Sequence, residues 1–132
     1  MKKSHIFLFF SLLALDLITK HLLVNKIIII NKYLLLNYQE NTGIAFSLLR
    51  NQNFFIIIIT IFIIGFLIYY YKNKRCQLGI IFILAGAIGN LINRIHLGYV
   101  IDFIQISIWP VFNLADVFNI IGIIILFSKL KS

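Results

Sequence analysis

Acidic residues are scarce in this chain of 132 residues, which has 12 lysines and arginines but only four acids. The four are Asp16, Glu40, Asp102 and Asp116, and the last two lie in the apolar stretch VIDFIQISIWPVFNLAD. An isolated carboxylate is costly to bury away from water. Two acids in such surroundings therefore require an explanation.

Cysteine and histidine are also rare, and this limits the chemistry that the chain can support. The single cysteine, Cys76, excludes an internal disulfide and suggests no metal cluster. The three histidines, His5, His21 and His96, do not have the spacing of zinc ligands. No metal site and no cofactor are therefore expected. A nucleic-acid partner is not expected either, because apolar segments separate the basic residues that give the net charge of +8.

Long apolar runs dominate the chain, which is 61% hydrophobic and 12% charged. Soluble domains are about 45–50% apolar and about one quarter charged, so this chain must lie partly in lipid. A membrane-spanning helix needs about 20 residues, and we predict helices over about 5–24, 54–71, 77–93 and 111–128. The prediction is an all-α membrane protein, a single domain over residues 1–132, with four transmembrane helices.

The basic residues predict how the four helices are oriented. In a four-span topology, three basic groups fall on one side: Lys2 and Lys3, the KNKR stretch from Lys72 to Arg75, and Lys129 with Lys131. Short loops rich in lysine and arginine remain cytoplasmic, so both termini are predicted to be cytoplasmic. A cleaved signal peptide is disfavoured because Asp16, Thr19 and Lys20 follow the first apolar run without a small-residue cleavage pattern.

The two segments predicted on the outer side, 25–53 and 93–113, differ from the helices in pattern. In the first, an apolar run from Tyr33 to Tyr38, the turn-like QENTG and a second run from Ile44 to Leu49 predict a hairpin. We expect a small amphipathic sheet at the outer interface. In the second, Pro110 predicts that helix 4 begins just after it, with Asn113 as a candidate N-cap.

Several polar residues fall at membrane depth, where their groups must find partners within the protein. Asp16 and Lys20 are four residues apart on helix 1 and form either a structural pair or a group that orients a site. The amides of Asn90 and Asn93 need partners, and Arg94 is either an interface anchor or a partner for a carboxylate. The neighbouring small residues, Ala85 with Gly89 and also Gly86, favour close helix packing.

Asp102 and Asp116 are the candidate catalytic residues. Two carboxylates held close together do not both ionise easily, so one can keep a proton while the other acts as a base toward water. Such a dyad can hydrolyse an amide bond. The alternative is that Asp116 only caps helix 4 and Asp102 is a solvated loop residue.

Four motifs, in order and over nearly the full length, resemble those of the bacterial lipoprotein signal peptidases (signal peptidase II). They are Asp16-Leu-Ile-Thr-Lys20, NTGIAF with Asn41 and Gly43, the stretch AGAIGNLINRIHLGYVIDFI with Asn90, Arg94 and Asp102, and FNLAD with Asn113 and Asp116. The family usually has Asp before the Arg of the third motif, where this chain has Asn93. This departure removes a possible partner of Arg94, and the short connection after Asp102 predicts a reduced lid.

The resemblance implies an aspartyl endopeptidase of the bacterial cytoplasmic (inner) membrane that cuts prolipoproteins just before a diacylglyceryl-modified cysteine. By motif, the catalytic pair is Asp102 and Asp116. Asn41, Gly43, Asn90, Arg94 and Asn113 match residues that line or support the site, together with Asp16 and Lys20 from the first motif. The active site is expected near the outer face on a sheet that cradles the substrate. Membrane lipid and globomycin-type inhibitors are expected partners, and the protein is expected to be a monomer.

Two other function classes compete with the peptidase. In a small proton- or cation-coupled transporter or channel subunit, Asp16, Asp102 and Asp116 would relay the ion. Such a transporter would be expected to show a repeat between its two halves, and the sequence shows none. A non-enzymatic membrane scaffold would use the glycine face of helix 3, but it leaves Asp102 and Asp116 unexplained.

Overall fold

The computed structural model describes residues 2–43 and 52–130. Within these residues the chain forms four helices and three strands. In order they are α1 (Lys3–Leu23), β1 (Ile27–Asn31), β2 (Leu34–Asn41), α2 (Asn53–Tyr70), α3 (Gln77–Leu97), β3 (Val100–Ile106) and α4 (Leu114–Leu130). The helices pack side by side, and the sheet lies at the end where α1 and α3 finish and α4 begins.

Three of the described helices are long and apolar enough to cross a membrane: Lys3–Leu22, Asn53–Tyr70 and Gln77–Leu97. Their large apolar side chains point outward, as in Phe7 and Phe62, which are 76% and 74% exposed. Such surfaces are unfavourable in water and natural in lipid. The helical membrane fold with a small sheet is therefore confirmed. α4 has 17 residues, is shorter than these three helices and is not among the candidate spans.

Two helix ends differ from the predicted boundaries. α3 continues to Leu97, where Gly98 adopts a left-handed conformation (φ 83°) and donates its backbone N–H to the carbonyl oxygen of Arg94. A glycine in this conformation ends a helix without steric cost. α4 begins at Leu114 and not just after Pro110, because Phe112 still pairs with Ile104 of the sheet.

The sheet is antiparallel with the order β1-β2-β3, and β2 continues into the residues predicted as the turn of a hairpin. β2 pairs with β1 on one side and β3 on the other, and residues Gln39–Asn41 extend the strand instead of forming a turn. The second predicted run, Ile44–Leu49, lies outside the described residues. β1 and β3 were not predicted as strands.

Glycines allow α3 and α4 to approach closely. A Cβ at Gly79 would lie 2.7 Å from the carbonyl oxygen of Gly122, and a Cβ at Gly86 would overlap the carbonyl oxygen of Ala115. Such contacts leave no space for a side chain, so the helix-packing interpretation of the small residues is confirmed at Gly86. The close approach brings the end of α3 beside the first turn of α4.

Candidate active site

Asp102 lies on β3 and is only 3% exposed, so the alternative of a solvated loop residue is wrong. Its two carboxylate oxygens accept hydrogen bonds from amide groups. Asn113 donates from Nδ2 to Oδ1 at 2.6 Å, and Asn41 donates from Nδ2 to Oδ2 at 2.9 Å. Burial, and then the nearby Asp116 carboxylate, raise the pKa of Asp102 to about 7, while the two amides act in the opposite direction.

Asp116 lies in the first turn of α4 and forms a reciprocal cap with Asn113. Its backbone N–H donates to Oδ1 of Asn113 at 3.0 Å, and the backbone N–H of Asn113 donates to Oδ2 of Asp116 at 3.2 Å. This is the arrangement of a capping box, with asparagine and aspartate as its two members. Asn90 donates from Nδ2 to Oδ1 of Asp116 at 2.9 Å. Asp116 is therefore a cap and also part of a buried polar network.

Asn113 joins the two aspartates. Its side chain is fully buried, and Nδ2 faces the oxygens of Asp102, Asn90 and the carbonyl of Ile101, while its backbone N–H contacts Asp116. One residue therefore hydrogen-bonds to both carboxylates. Strand β3 supplies one acid and helix α4 supplies the other, and the residue that starts α4 holds them together.

A bulge in β2 directs Asn41 toward Asp102. Leu36 pairs with Ile104, but Gln39 pairs with Asp102, so β2 has one extra residue between these two pairs. An extra residue reverses which face the following side chains occupy. Asn41 thus lies on the same face of the sheet as Asp102. Its Oδ1 accepts a hydrogen bond from the backbone N–H of Gly43 at 2.9 Å.

Arg94 and Asn93 have different roles from those expected of an ion-pair network. Arg94 is buried and donates from Nη2 to the carbonyl oxygen of Gly43, and no carboxylate of the described residues lies within ion-pair distance of it. The side chain of Asn93 accepts the backbone N–H of Ile101 at 3.3 Å. Only an acceptor oxygen is used there, and asparagine supplies one as aspartate would. The absence of the usual aspartate therefore leaves this contact in place.

Asp16 and Lys20 form a buried ion pair that contacts the site from α1. Nζ of Lys20 donates to Oδ2 of Asp16 at 2.7 Å and to Oδ1 of Asn90 at 2.8 Å, and Oδ1 of Asp16 accepts the backbone N–H of Ala115 at 2.9 Å. Gly89 makes room for this pair, because a Cβ there would overlap the Asp16 carboxylate. The pair is 0–1% exposed, so it does not reach the interface by snorkelling.

The structure thus brings together all nine residues that the sequence singles out: Asp16, Lys20, Asn41, Gly43, Asn90, Arg94, Asp102, Asn113 and Asp116. Three backbone groups of the network are not predicted from the sequence, namely the N–H groups of Ala115 and Ile101 and the carbonyl of Ile101. No residue type indicates a backbone contact, so the sequence held no signal for them.

Known proteins with similar sequences indicate the family to which the chain belongs. A model of the family "Signal peptidase (SPase) II" matches residues 8–131. A lipoprotein signal peptidase of Halothermothrix orenii is 47% identical over 91 residues, 66% of this chain and 63% of that protein. One of Streptococcus thermophilus is 40% identical over 69% of this chain and 64% of that protein. One of Streptococcus pyogenes is 37% identical over 87% of this chain and 84% of that protein. The chain thus spans less than two thirds of the length of the first two relatives.

Two solved structures, each described as a bacterial membrane enzyme, share the fold. One has a TM-score of 0.90 at 29% identity and covers 97% of this chain and 87% of that chain. The other has a TM-score of 0.85 at 30% identity, with 96% and 92% covered. The matching family and the relatives are signal peptidases, which does not favour the transporter alternative. Since the family model covers nearly the whole sequence, this chain belongs to the signal peptidase II family.

Proposed function

We propose that this protein is an aspartyl endopeptidase that removes signal peptides from prolipoproteins and cuts just before a diacylglyceryl-modified cysteine. The observation that supports this most is the contact of Asn113 with both Asp102 and Asp116. Two carboxylates held by one residue, next to apolar helices, form a site suited to acid–base hydrolysis of an amide.

The proposed topology has four spans, with α4 as the fourth. Its 17 residues are at the lower end of the range of about 17–25 that crosses a bilayer. The turn with Lys72, Lys74 and Arg75 lies at the end opposite the sheet, which favours a cytoplasmic location for that end and for both termini. The sheet and the two aspartates are then near the outer face of the bacterial cytoplasmic membrane.

The proposed mechanism divides acid and base between the two aspartates. Asp116 takes a proton from a water molecule as the water oxygen attacks the scissile carbonyl carbon. Protonated Asp102 donates to the carbonyl oxygen, where negative charge develops. As the tetrahedral intermediate collapses, the hydroxyl formed from the carbonyl oxygen returns its proton to Asp102, the C–N bond breaks, and the proton held by Asp116 passes to the leaving amine. The amides of Asn41, Asn90 and Asn113 keep the two carboxylates in place.

Lipid recognition is the most direct test of the proposed substrate. With purified protein in lipid vesicles, kcat/KM for a precursor with a diacylglyceryl cysteine should exceed that for the same precursor with a free cysteine by at least about 100-fold. Acyl chains contribute about 0.8 kcal/mol per buried CH₂ group and concentrate the substrate beside the site. Mass spectrometry should place the cut immediately before the modified cysteine. Equal rates for the two precursors would contradict this substrate class.

The pH dependence of cleavage follows from the raised pKa of Asp102, about 7. An acid with this pKa is protonated below neutral pH and loses its proton above it. The basic limb of kcat should therefore fall about tenfold per pH unit above about 7, whereas an ordinary aspartate would already be ionised above about 4. Measurement of kcat from pH 5 to 9 with the lipidated precursor tests this. A rate that does not change between pH 7 and 9 would exclude Asp102 as the acid.

A further inference from the structure

Lys20 makes a contact that a simple structural ion pair does not require. Its side chain is 1% exposed, and its ammonium donates to Asp16 at 2.7 Å and to Oδ1 of Asn90 at 2.8 Å. Asn90 is 70 residues away along the chain, on a different helix. The second contact directs the Lys20 ammonium toward the side chain that touches Asp116.

The chemistry of the ammonium determines how the Asn90 amide is turned. An ammonium group has donors and no acceptor, so only the oxygen of an amide can face it. With Oδ1 of Asn90 facing Lys20, Nδ2 faces Asp116 and donates to its Oδ1 at 2.9 Å. If the amide were reversed, its NH₂ group would face the ammonium and its oxygen would face the carboxylate. Both of those contacts would be repulsive.

Asn113 also donates to Oδ1 of Asn90, at 3.1 Å, but this contact is the weaker of the two. Nδ2 of Asn113 has two hydrogens and faces three acceptors, and the shortest of its contacts goes to Asp102 at 2.6 Å. A charged donor forms the stronger hydrogen bond. The orientation of the Asn90 amide therefore depends mainly on Lys20.

We propose that Lys20 is a positioning residue, which holds the Asn90 amide so that its NH₂ group faces Asp116 and keeps that carboxylate directed toward the substrate. This inference depends on the proposed peptidase function. Asp16 completes the arrangement, because it binds Lys20 through one oxygen and the backbone N–H of Ala115, next to Asp116, through the other. Lys20 does not touch the substrate in this scheme and acts only through Asn90.

The test uses a background in which the buried pair carries no charge. Asp16→Asn keeps an oxygen for the N–H of Ala115, and in this background Lys20→Gln and Lys20→Met are both neutral. Glutamine is one bond shorter than lysine but keeps an N–H donor that can bind Oδ1 of Asn90 through a bridging water molecule, and methionine has no donor. Replacing a buried ion pair by neutral groups can leave stability unchanged, so both double variants should fold.

We expect kcat of the Lys20→Met double variant on the lipidated precursor to be about tenfold below that of the Lys20→Gln double variant, since one hydrogen bond is lost. KM should agree within about twofold and thermal unfolding within a few degrees. Equal kcat in the two double variants would overturn the proposal. A lower kcat of the Lys20→Met double variant would also overturn it if its unfolding temperature were lowered to a matching degree. Wild-type cleavage of the lipidated precursor establishes the peptidase function separately.

A second variant decides the question if the methionine variant does not fold. Asn90→Asp keeps an oxygen acceptor for Lys20 and adds a negative charge for it to pair with, but it presents no NH₂ group to Asp116. Its kcat should fall by about tenfold or more while the protein stays folded. Full activity of Asn90→Asp would show that the NH₂ group directed at Asp116 has no part in cleavage and would overturn the role of Lys20.

Discussion

Replacing either Asp102 or Asp116 by asparagine is expected to lower kcat for a lipidated precursor by about 10³-fold or more, within the range for loss of a positioned acid or base. Asparagine has the same shape as aspartate but cannot exchange a proton at neutral pH. Each change removes one half of the proposed acid–base pair, so neither residue should substitute for the other. The double variant should be no less active than the more damaged single variant.

The matched control is Glu40→Gln, which removes the one other carboxylate of the sheet. Glu40 is exposed, lies next to Asn41 on β2 and accepts a hydrogen bond from the hydroxyl of Tyr38 at 2.9 Å, away from both aspartates. Cleavage by this variant should stay within about twofold of wild type, because an exposed charge contributes little. Residual activity above about a tenth of wild type in either aspartate variant, with the protein folded, would exclude the dyad.

The environment of Asp102 also favours the proposed catalytic role over a purely structural one. Asp102 is buried in a strand, where burial raises its pKa to about 7, so the folded protein holds a carboxyl group in an unfavourable setting. A structural role would be served better by an amide, which has no charge to desolvate. Perturbed carboxyl groups of this kind cluster at functional sites.

The helices could be predicted from the sequence, and both aspartates could be singled out as candidates, because these signals are local. A long apolar run predicts a spanning helix from its length alone, and a charged residue inside such a run is conspicuous. Asn113 was predicted as a cap from residue type and its place after Pro110, and the reciprocal bonds with Asp116 are present. The left-handed Gly98, five residues past the predicted end of helix 3, is not predicted as a C-cap from the sequence.

The sheet could not be predicted to the same degree, because its pattern lacks the usual alternation. All five residues of β1 are exposed, so its four isoleucines do not alternate between a buried and a solvated face. The sequence pattern places Asn41 in a turn, whereas the bulge that directs it toward Asp102 depends on pairing with a strand about 60 residues further along the chain. Spacing within one segment does not contain that information.

The contact between Lys20 and Asn90 illustrates a second limit. Each residue is visible as a polar group at membrane depth, but four helices can be arranged in several ways. Which helix lies beside α1 is decided by side-chain volume, and here the absence of a side chain at Gly89 admits the Asp16–Lys20 pair. That cause involves two segments at once, α1 and α3, whereas motif spacing describes one segment at a time.

Asn113→Ser is expected to lower kcat/KM by about 10- to 100-fold and to leave α4 intact. Serine is as good an N-cap as asparagine, so the start of the helix keeps its capping bond. Its hydroxyl is too short to reach Asp102, so the 2.6 Å hydrogen bond from Nδ2 is lost. In the proposed transition state Asp102 gives up its proton and becomes charged. A hydrogen bond to a charged group contributes about 1.5–3 kcal/mol, which corresponds to the expected loss.

Comparison of Asn113→Ser with Asn113→Ala separates the cap from the contact with Asp102. Both lose the amide, but only alanine also loses the capping oxygen, which costs about 1 kcal/mol of unfolding free energy. The two variants should therefore have similar kcat/KM and different unfolding temperatures, with alanine the lower. If the Asn113→Ser variant cleaves the precursor as fast as wild type, the contact between the Asn113 amide and Asp102 is not needed for cleavage.

The pH profile of Asn113→Ser gives the sharpest check, because it predicts a direction that a general loss of structure does not. The Asn113 amide stabilises the ionised form of Asp102 and so lowers its pKa, while burial and Asp116 raise it. Without the amide, the pKa of Asp102 should rise further above 7, and its protonated form should persist to higher pH. The variant should thus be slower than wild type at pH 6 but retain a larger share of its maximal kcat at pH 9. A basic limb that moves to lower pH would contradict Asp102 as the acid.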